Sequence, residues 1–191
     1  MLPGVPTLYD KIIEWAVESN ADLSSIHTSI SGASTLPVET IERWENATGG
    51  RLIEGYGLTE TAPILAGNPL DGTRRPGYIG LPFPNTEIRI ADPQDPSRTM
   101  PDGEPGELLA RGPQVFSGYL NSPEANERAF HDGWFRTGDM AVMEDDGWIK
   151  LVARIKEMII TGGFNVYPDE VEGVMRNHPA VSYTHLTLPT N

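Results

Sequence analysis

The chain has no cysteine. Disulfides and thiolate metal sites are therefore excluded, and the composition suits a reducing compartment. Basic residues are scarce as well: 14 Lys and Arg stand against 27 Asp and Glu, for a formal net charge of −13 at pH 7. A surface of that sign repels phosphate backbones, which argues against nucleic acid or an anionic membrane surface as partner. No apolar run approaches the ~20 residues that span a bilayer. The opening MLPGVPTLYD has neither the basic start nor the apolar stretch of a signal peptide. The expectation is a soluble, cytoplasmic protein. Turn formers, by contrast, are plentiful: 20 Gly and 17 Pro lie between apolar runs and punctuate elements. At 191 residues and 38% hydrophobic content there is material for one good core, or for one domain and part of another.

The apolar positions Leu8, Ile12, Trp15 and Ala16 predict a helix over residues 6–19, started at Pro6-Thr7. Ser25 to Ser31 alternates like a strand. A second helix is predicted from Pro37 to Ala47, with Gly49-Gly50 as its stop. Arg51 to Ile53 then reads as a strand leading into a glycine-flanked turn. From about Asp71 the texture changes to short alternating segments, Thr86–Ile90, Gly106–Arg111, Met140–Met143 and Trp148–Val152. They predict a small antiparallel sheet or barrel, with Asp145-Asp146-Gly147 as a hairpin turn. A short helix over Pro123–Phe130, capped by Ser122, interrupts it. Glu157–Thr161 is another strand-like run, and Pro168 opens a helix with Val171, Val174 and Met175 as its apolar positions. The fold class expected is α/β plus β: an α/β portion over 1–70, a β subdomain over 71–154, and a second domain that starts over 155–181. Residues 182–191 continue no periodicity and carry no charge apart from titratable His185, and they read as a foreign tail.

Chemistry concentrates in Gly55-Tyr56-Gly57-Leu58-Thr59-Glu60. An aromatic face can stack on a purine, a hydroxyl can donate to a phosphate, and a carboxylate suits Mg²⁺, while glycines let backbone approach a ligand. Taken alone, these residues serve equally as a turn after a buried strand, with Thr59 as a cap. Three further motifs follow in order: Gly106-Glu107-Leu108 through Gly118-Tyr119 with Pro123-Glu124; Trp134-Phe135-Arg136-Thr137-Gly138-Asp139; and Arg154-Ile155-Lys156-Glu157 leading to Gly162-Gly163-Phe164-Asn165-Val166-Tyr167-Pro168. His27, His131 and His178 lack ligand-like spacing, and Trp15, Trp44, Trp134 and Trp148 read as core and rim.

With those motifs together, residues 2–181 resemble the acyl-adenylate-forming (AMP-binding) superfamily, most closely its long-chain fatty-acid CoA ligases. The resemblance implies that Tyr56 stacks on adenine, that the backbone at Glu54 and Gly55 faces its edge, and that Thr59 bonds the α-phosphate. It also implies that Glu60 holds Mg²⁺, that Asp139 accepts from both ribose hydroxyls, and that Arg154 lies beside ribose and phosphate. Lys156 becomes the hinge of the small domain. Gly32 and Ala33 match the loop at the adenine and acyl pocket, and Gly163 belongs to the nucleotide-binding set. Ala33 departs from the pattern, since a second Gly is frequent there; so does Ala153, since Asp commonly precedes this Arg, and Arg154 is expected to be held less tightly for it.

The implied reaction is ATP- and Mg²⁺-dependent activation of a carboxylic acid, followed by transfer to CoA. A long-chain fatty acid is the favoured substrate. Medium-chain or aryl-acid CoA ligases and peptide-synthetase adenylation domains are alternatives, and a β-rich binding module is the non-enzyme alternative. Peripheral membrane association of the complete enzyme is compatible with the resemblance. The upstream phosphate loop and the late C-terminal lysine of similar enzymes have no counterpart here, so the chain is expected to be an incomplete portion, inactive alone.

Overall fold

The computed structural model describes residues 1–161, 164–176, 178, 180 and 181. The chain begins with β1 (Leu2–Gly4), α1 (Pro6–Ser19), β2 (Thr28–Ser31), α2 (Val38–Thr48) and β3 (Arg51–Tyr56). β2 pairs in parallel with β1 and with β3. Parallel neighbours cannot be joined by a tight turn, so α1 and α2 serve as the crossovers. Pro6 sits in the first turn of α1, where a missing N–H costs nothing. Gly49 closes α2 at φ 66, donating its N–H to the Glu45 carbonyl.

The buried stripe of α1 overlaps the expected one at Ala16 and, partly buried, at Ile12. Its deepest residues are Tyr9 and Ile13, whereas Leu8 and Trp15 remain exposed. Both stripes obey helical spacing, and tertiary contacts choose between them. The Tyr9 ring meets Trp44 edge-on at 4.8 Å. Its hydroxyl donates to the carbonyls of Leu2 (3.1 Å) and Ile30 (2.7 Å), so the polar tip can be buried. Leu36, Ile41 and Leu52 complete that core.

β3 also runs further than expected. Gly55 and Tyr56 belong to the strand, not to a turn, because they pair antiparallel with β4 (Ala66–Gly67). Burial of the Tyr56 ring outweighs the poor strand preference of glycine. A 3-10 turn (Thr59–Thr61) follows, and β5 (Leu81–Pro82) completes a sheet ordered β1-β2-β3-β4-β5.

The second sheet is wholly antiparallel, as the alternating segments predicted. It contains β6 (Glu87–Ala91) and β7 (Gly106–Arg111), then, after α3 (Pro123–Ala129), β8 (Phe130–His131), β9 (Trp134–Met143) and β10 (Ile149–Arg154). Its order is β10-β9-β7-β6, with β8 on β9. β9 starts at Trp134 and not at Met140, so the Arg136-Thr137-Gly138-Asp139 motif lies within a strand. Ser122 occupies the N-cap of α3 without a capping side-chain bond. A 3-10 turn (Ile155–Glu157) leads to the antiparallel pair β11 (Ile159–Thr161) and β12 (Phe164–Val166), and then to α4 (Pro168–Arg176). Gly162, Gly163 and the suspected tail 182–191 lie outside the described residues.

The two large sheets meet where the Ile149 amide donates to the Gly80 carbonyl (3.0 Å) and the Ile79 amide to the Ile149 carbonyl (2.9 Å). One core spans the junction: Tyr56, Leu65, Ala66 and Ile79 pack with Ile90, Leu108, Ala141 and Ile149.

Glu54 is 6% exposed, on β3. Its Oε1 accepts one bond, from the Leu36 amide at 3.3 Å, and burial pushes the carboxyl from 4.5 up to about 7. Between those values the folded chain keeps a proton that the unfolded chain has released, so stability falls as pH rises through the window. The accumulated loss is about 3 kcal/mol. Glu54→Gln removes the charge, so in urea unfolding the variant should exceed the parent in stability at pH 8, and the gap should close towards pH 5. Parallel pH curves for the two proteins would show that Glu54 does not carry this cost.

Candidate functional site

A cavity of about 250 Å³ opens at the junction of the two sheets. Its walls come from the loop after β2 (Ala33, Ser34, Thr35), the end of β3 (Glu54, Gly55, Tyr56, Gly57), Ile79, Asp139 of β9, Leu151, Ala153 and Arg154 of β10, and Glu157 of the following turn. The glycine at 57 is a steric requirement. A Cβ there would lie 1.9 Å from the Pro63 carbonyl oxygen, so the chain leaves β3 through a space that only a hydrogen fills. Ala33 stands at φ 68, in left-handed territory that costs an L-residue roughly 1–2 kcal/mol. A glycine, which the resemblance leads one to expect here, would adopt that conformation without the cost.

Asp139 is the polar centre of the cavity. It is 3% exposed, and its Oδ2 accepts the Tyr56 hydroxyl at 2.6 Å. Its Oδ1 faces Arg154 Nε at 3.1 Å, across the β9–β10 register in which these two residues are partners. Arg154, lacking an acidic neighbour at Ala153, is thus held from the adjacent strand. Burial raises the Asp139 carboxyl above its ordinary range, while the Tyr56 bond and the Arg154 charge pull it back. The Tyr56 phenol is driven far upward, first by burial and then by the Asp139 charge, so it remains a donor. A carboxylate oxygen has two lone-pair sites. The Tyr56 hydroxyl takes one site on Oδ2 and the Arg154 guanidinium lies against Oδ1, so Asp139 retains acceptor capacity toward a ligand that presents two donors.

The structure thus brings Ala33, Glu54, Gly55, Tyr56, Asp139 and Arg154 to one cavity. Gly32, Thr59, Glu60 and Lys156 are not among its lining residues. Gly32 is adjacent, its amide bonded to the Gly4 carbonyl at 3.1 Å. Thr59 is exposed on the 3-10 turn, and Lys156 is exposed on the turn after β10. Gly163 lies outside the described residues. Glu60 is organised by the Gly118-Tyr119 motif: the Tyr119 hydroxyl donates to its Oε1 at 2.8 Å, and the Phe116 amide to its carbonyl at 2.8 Å. Among the described residues no three His, Cys, Asp or Glu gather as a metal cage. A single carboxylate is nonetheless a fitting donor for Mg²⁺ carried on a polyphosphate, since that ion takes most of its ligands from phosphate and water.

Sequence reasoning missed Ser34, Thr35, Ile79, Leu151 and the carboxylate of Glu157. Glu157 stood inside a quoted motif and could have been named from it. Ile79 and Leu151 had no local signal, because they reach the cavity only through the meeting of the sheets.

Residues 1–120 match the family model described as AMP-binding enzyme. The chain is 43% identical over 180 residues to a long-chain-fatty-acid–CoA ligase of Escherichia coli, an alignment covering 94% of this chain and 32% of that protein. It is 38% identical over 179 residues to a feruloyl-CoA synthase of Amycolatopsis, covering 93% of this chain and 36% of that one. The ATP-bound crystal structure of MatB from Rhodopseudomonas palustris superposes with a TM-score of 0.83 at 36% identity, over 93% of this chain and 35% of that chain. O-succinylbenzoate coenzyme A synthetase (MenE) from Bacillus subtilis, in complex with ATP and magnesium, gives 0.81 at 31% identity, over 94% and 37%. The chain spans about a third of the length of the curated relatives it matches. With its motifs in order along the chain and a family match over more than half its length, the chain belongs to the AMP-binding enzyme family.

Proposed function

We propose that this chain forms the nucleoside-binding part of an acyl-CoA ligase that activates a carboxylic acid, a long-chain fatty acid in the favoured reading. The observation that carries this is the buried Asp139 carboxylate, anchored by Tyr56 and Arg154 with lone pairs left over at the cavity. In the first step a carboxylate oxygen attacks the α-phosphorus of ATP in line, and the bond to pyrophosphate breaks. In the second, the CoA thiolate attacks the acyl carbon and AMP departs. Two anions must meet in the first step, so the work falls to positioning and charge neutralisation rather than to covalent help. Asp139 fixes the sugar and Arg154 offers positive charge beside it. Mg²⁺, when bound on the phosphates, neutralises their charge, with Glu60 as its protein donor. Lys156, on the turn after β10, marks the point about which a small domain would swing between the two steps. The identity to a feruloyl-CoA synthase keeps an aryl acid as a second reading, since the cavity lining speaks to the nucleotide and not to the acid.

In the complete enzyme, Asp139→Asn keeps volume and removes the charged acceptor. Charge-assisted bonds are worth about 1.5–3 kcal/mol each, so ATP affinity should drop roughly tenfold or more. An unchanged ATP Kd by calorimetry would remove Asp139 from the site. Glu60→Gln keeps size and loses the charge that attracts a hard cation. The Mg²⁺ concentration for half-maximal ATP–pyrophosphate exchange should therefore rise, whereas a parental Mg²⁺ profile would reduce Glu60 to its structural bond with Tyr119. Assayed alone with ATP, Mg²⁺, fatty acids and CoA, the 191-residue chain should release no AMP above background; acid-dependent release would contradict the reading of it as a part.

A further inference from the structure

We propose that Glu107, a buried carboxylate of β7 outside the cavity, is the residue that positions Asp139. The inference rests on the reading of Asp139 as the acceptor of ribose hydroxyls.

The β7–β9 ladder is irregular where the cavity begins. Glu107 pairs with Met140 and Leu109 with Arg136, so Leu108 alone spans Thr137, Gly138 and Asp139. β9 thus carries a bulge with two surplus residues, turned by Gly138 at φ 73. A bulge re-aims side chains, and it also frees backbone groups that need other partners. Here side chains supply them. Glu107 Oε1 accepts the Gly138 amide at 3.3 Å, and Thr137 Oγ1 accepts the Asp139 amide at 3.1 Å while donating to the Leu108 carbonyl at 2.8 Å. The other Glu107 oxygen takes two bonds from Arg136, from Nε at 2.9 Å and Nη2 at 2.6 Å, and Nη2 also reaches the Pro93 carbonyl at 3.0 Å.

Every group that faces Glu107 in these contacts is a donor, so the position demands an acceptor-only side chain. The glutamate is 2% exposed. Its carboxylate locks residues 136 and 138, on both sides of Thr137, and so sets the path by which Asp139 enters the cavity. A carboxylate that must meet two ligand hydroxyls needs placement within about 0.5 Å, which a free bulge does not provide.

The test uses ATP–pyrophosphate exchange by the complete enzyme with ATP and with 2′-deoxy-ATP. One charge-assisted bond corresponds to about tenfold or more in KM, so the parental deoxy-ATP to ATP ratio should be at least that large. In E107A the ratio should fall to within roughly threefold of one, while KM for the acid moves less than about twofold. E107Q retains one acceptor oxygen and should lie between the two. If circular dichroism shows E107A unfolded, E107Q carries the test: one of its two terminal groups is a donor facing donors, so a folded E107Q should lower the ratio below the parental value. Folded variants that keep the parental ratio would overturn the positioning role and leave the ribose reading standing. A fall matched by an equal loss toward the acid would also count against it, as general damage. A parent that treats the two nucleotides alike would overturn the ribose reading, and this inference with it.

Discussion

The hydrogen bond from the Tyr56 hydroxyl to the Asp139 carboxylate, 2.6 Å long, joins the end of β3 to β9 across 83 residues of sequence. It fixes the two polar side chains at the centre of the cavity and ties one sheet to the other. Tyr56 is anchored in the core that spans both sheets, so its hydroxyl has a fixed position before any ligand arrives. Asp139 is fixed from the other side by Arg154. A carboxylate this deeply buried is costly unless its lone pairs are occupied. Two donors lower that cost, and two ligand hydroxyls would lower it further. The pair is therefore both a clasp between sheets and an incomplete solvation shell, and under the proposed function a ribose diol would complete it.

The local elements of the fold were readable because local chemistry specifies them. Pro6, Gly49 and the Asp145-Asp146-Gly147 turn mark boundaries that backbone geometry alone enforces, and the structure has them at the ends of α1 and α2 and between β9 and β10. The α/β texture followed by antiparallel strands was equally plain. Choices settled by distant partners were not readable. Tyr9 took the buried stripe of α1 because carbonyls of β1 and β2 awaited its hydroxyl. β3 swallowed Gly55 and Tyr56 because β4 lies beside them, and β4 is too short to carry an alternation of its own.

The candidate site divides along the same line. Tyr56, Asp139 and Arg154 could be named one by one from motifs, yet nothing in the sequence says that the phenol donates to the carboxylate or that Arg154 faces Asp139 across a ladder. Glu107 is the sharper case. It sits in a quoted motif, Gly106-Glu107-Leu108, whose alternation explains a strand and leaves a buried glutamate unexplained. Its role appears only when the register of β7 and β9 is known, since two side-chain acceptors there replace what a regular ladder would have supplied.

The charge of the lining adds one further step. Glu54, Asp139 and Glu157 contribute three carboxyl groups against one guanidinium, that of Arg154. Burial keeps the Glu54 carboxyl protonated toward neutral pH and Asp139 is paired with Arg154, so the walls offer hydrogen-bond acceptors and no cationic cradle for a phosphate. Neutral, donor-rich groups fare better: sugar hydroxyls and an exocyclic amine can each give a proton to an acceptor already in position. Under the proposed function such a lining suits the nucleoside, and the phosphates would lie outside the cavity. Thr59 and Glu60, which do not line it, follow β3 directly on the 3-10 turn and offer a hydroxyl and a metal-binding carboxylate beyond the wall. Their absence from the cavity is thus consistent with phosphate roles. On the proposed function one strand end, β3, would serve both halves of a nucleotide, its last residues the nucleoside and the turn beyond Gly57 the polyphosphate and its cation.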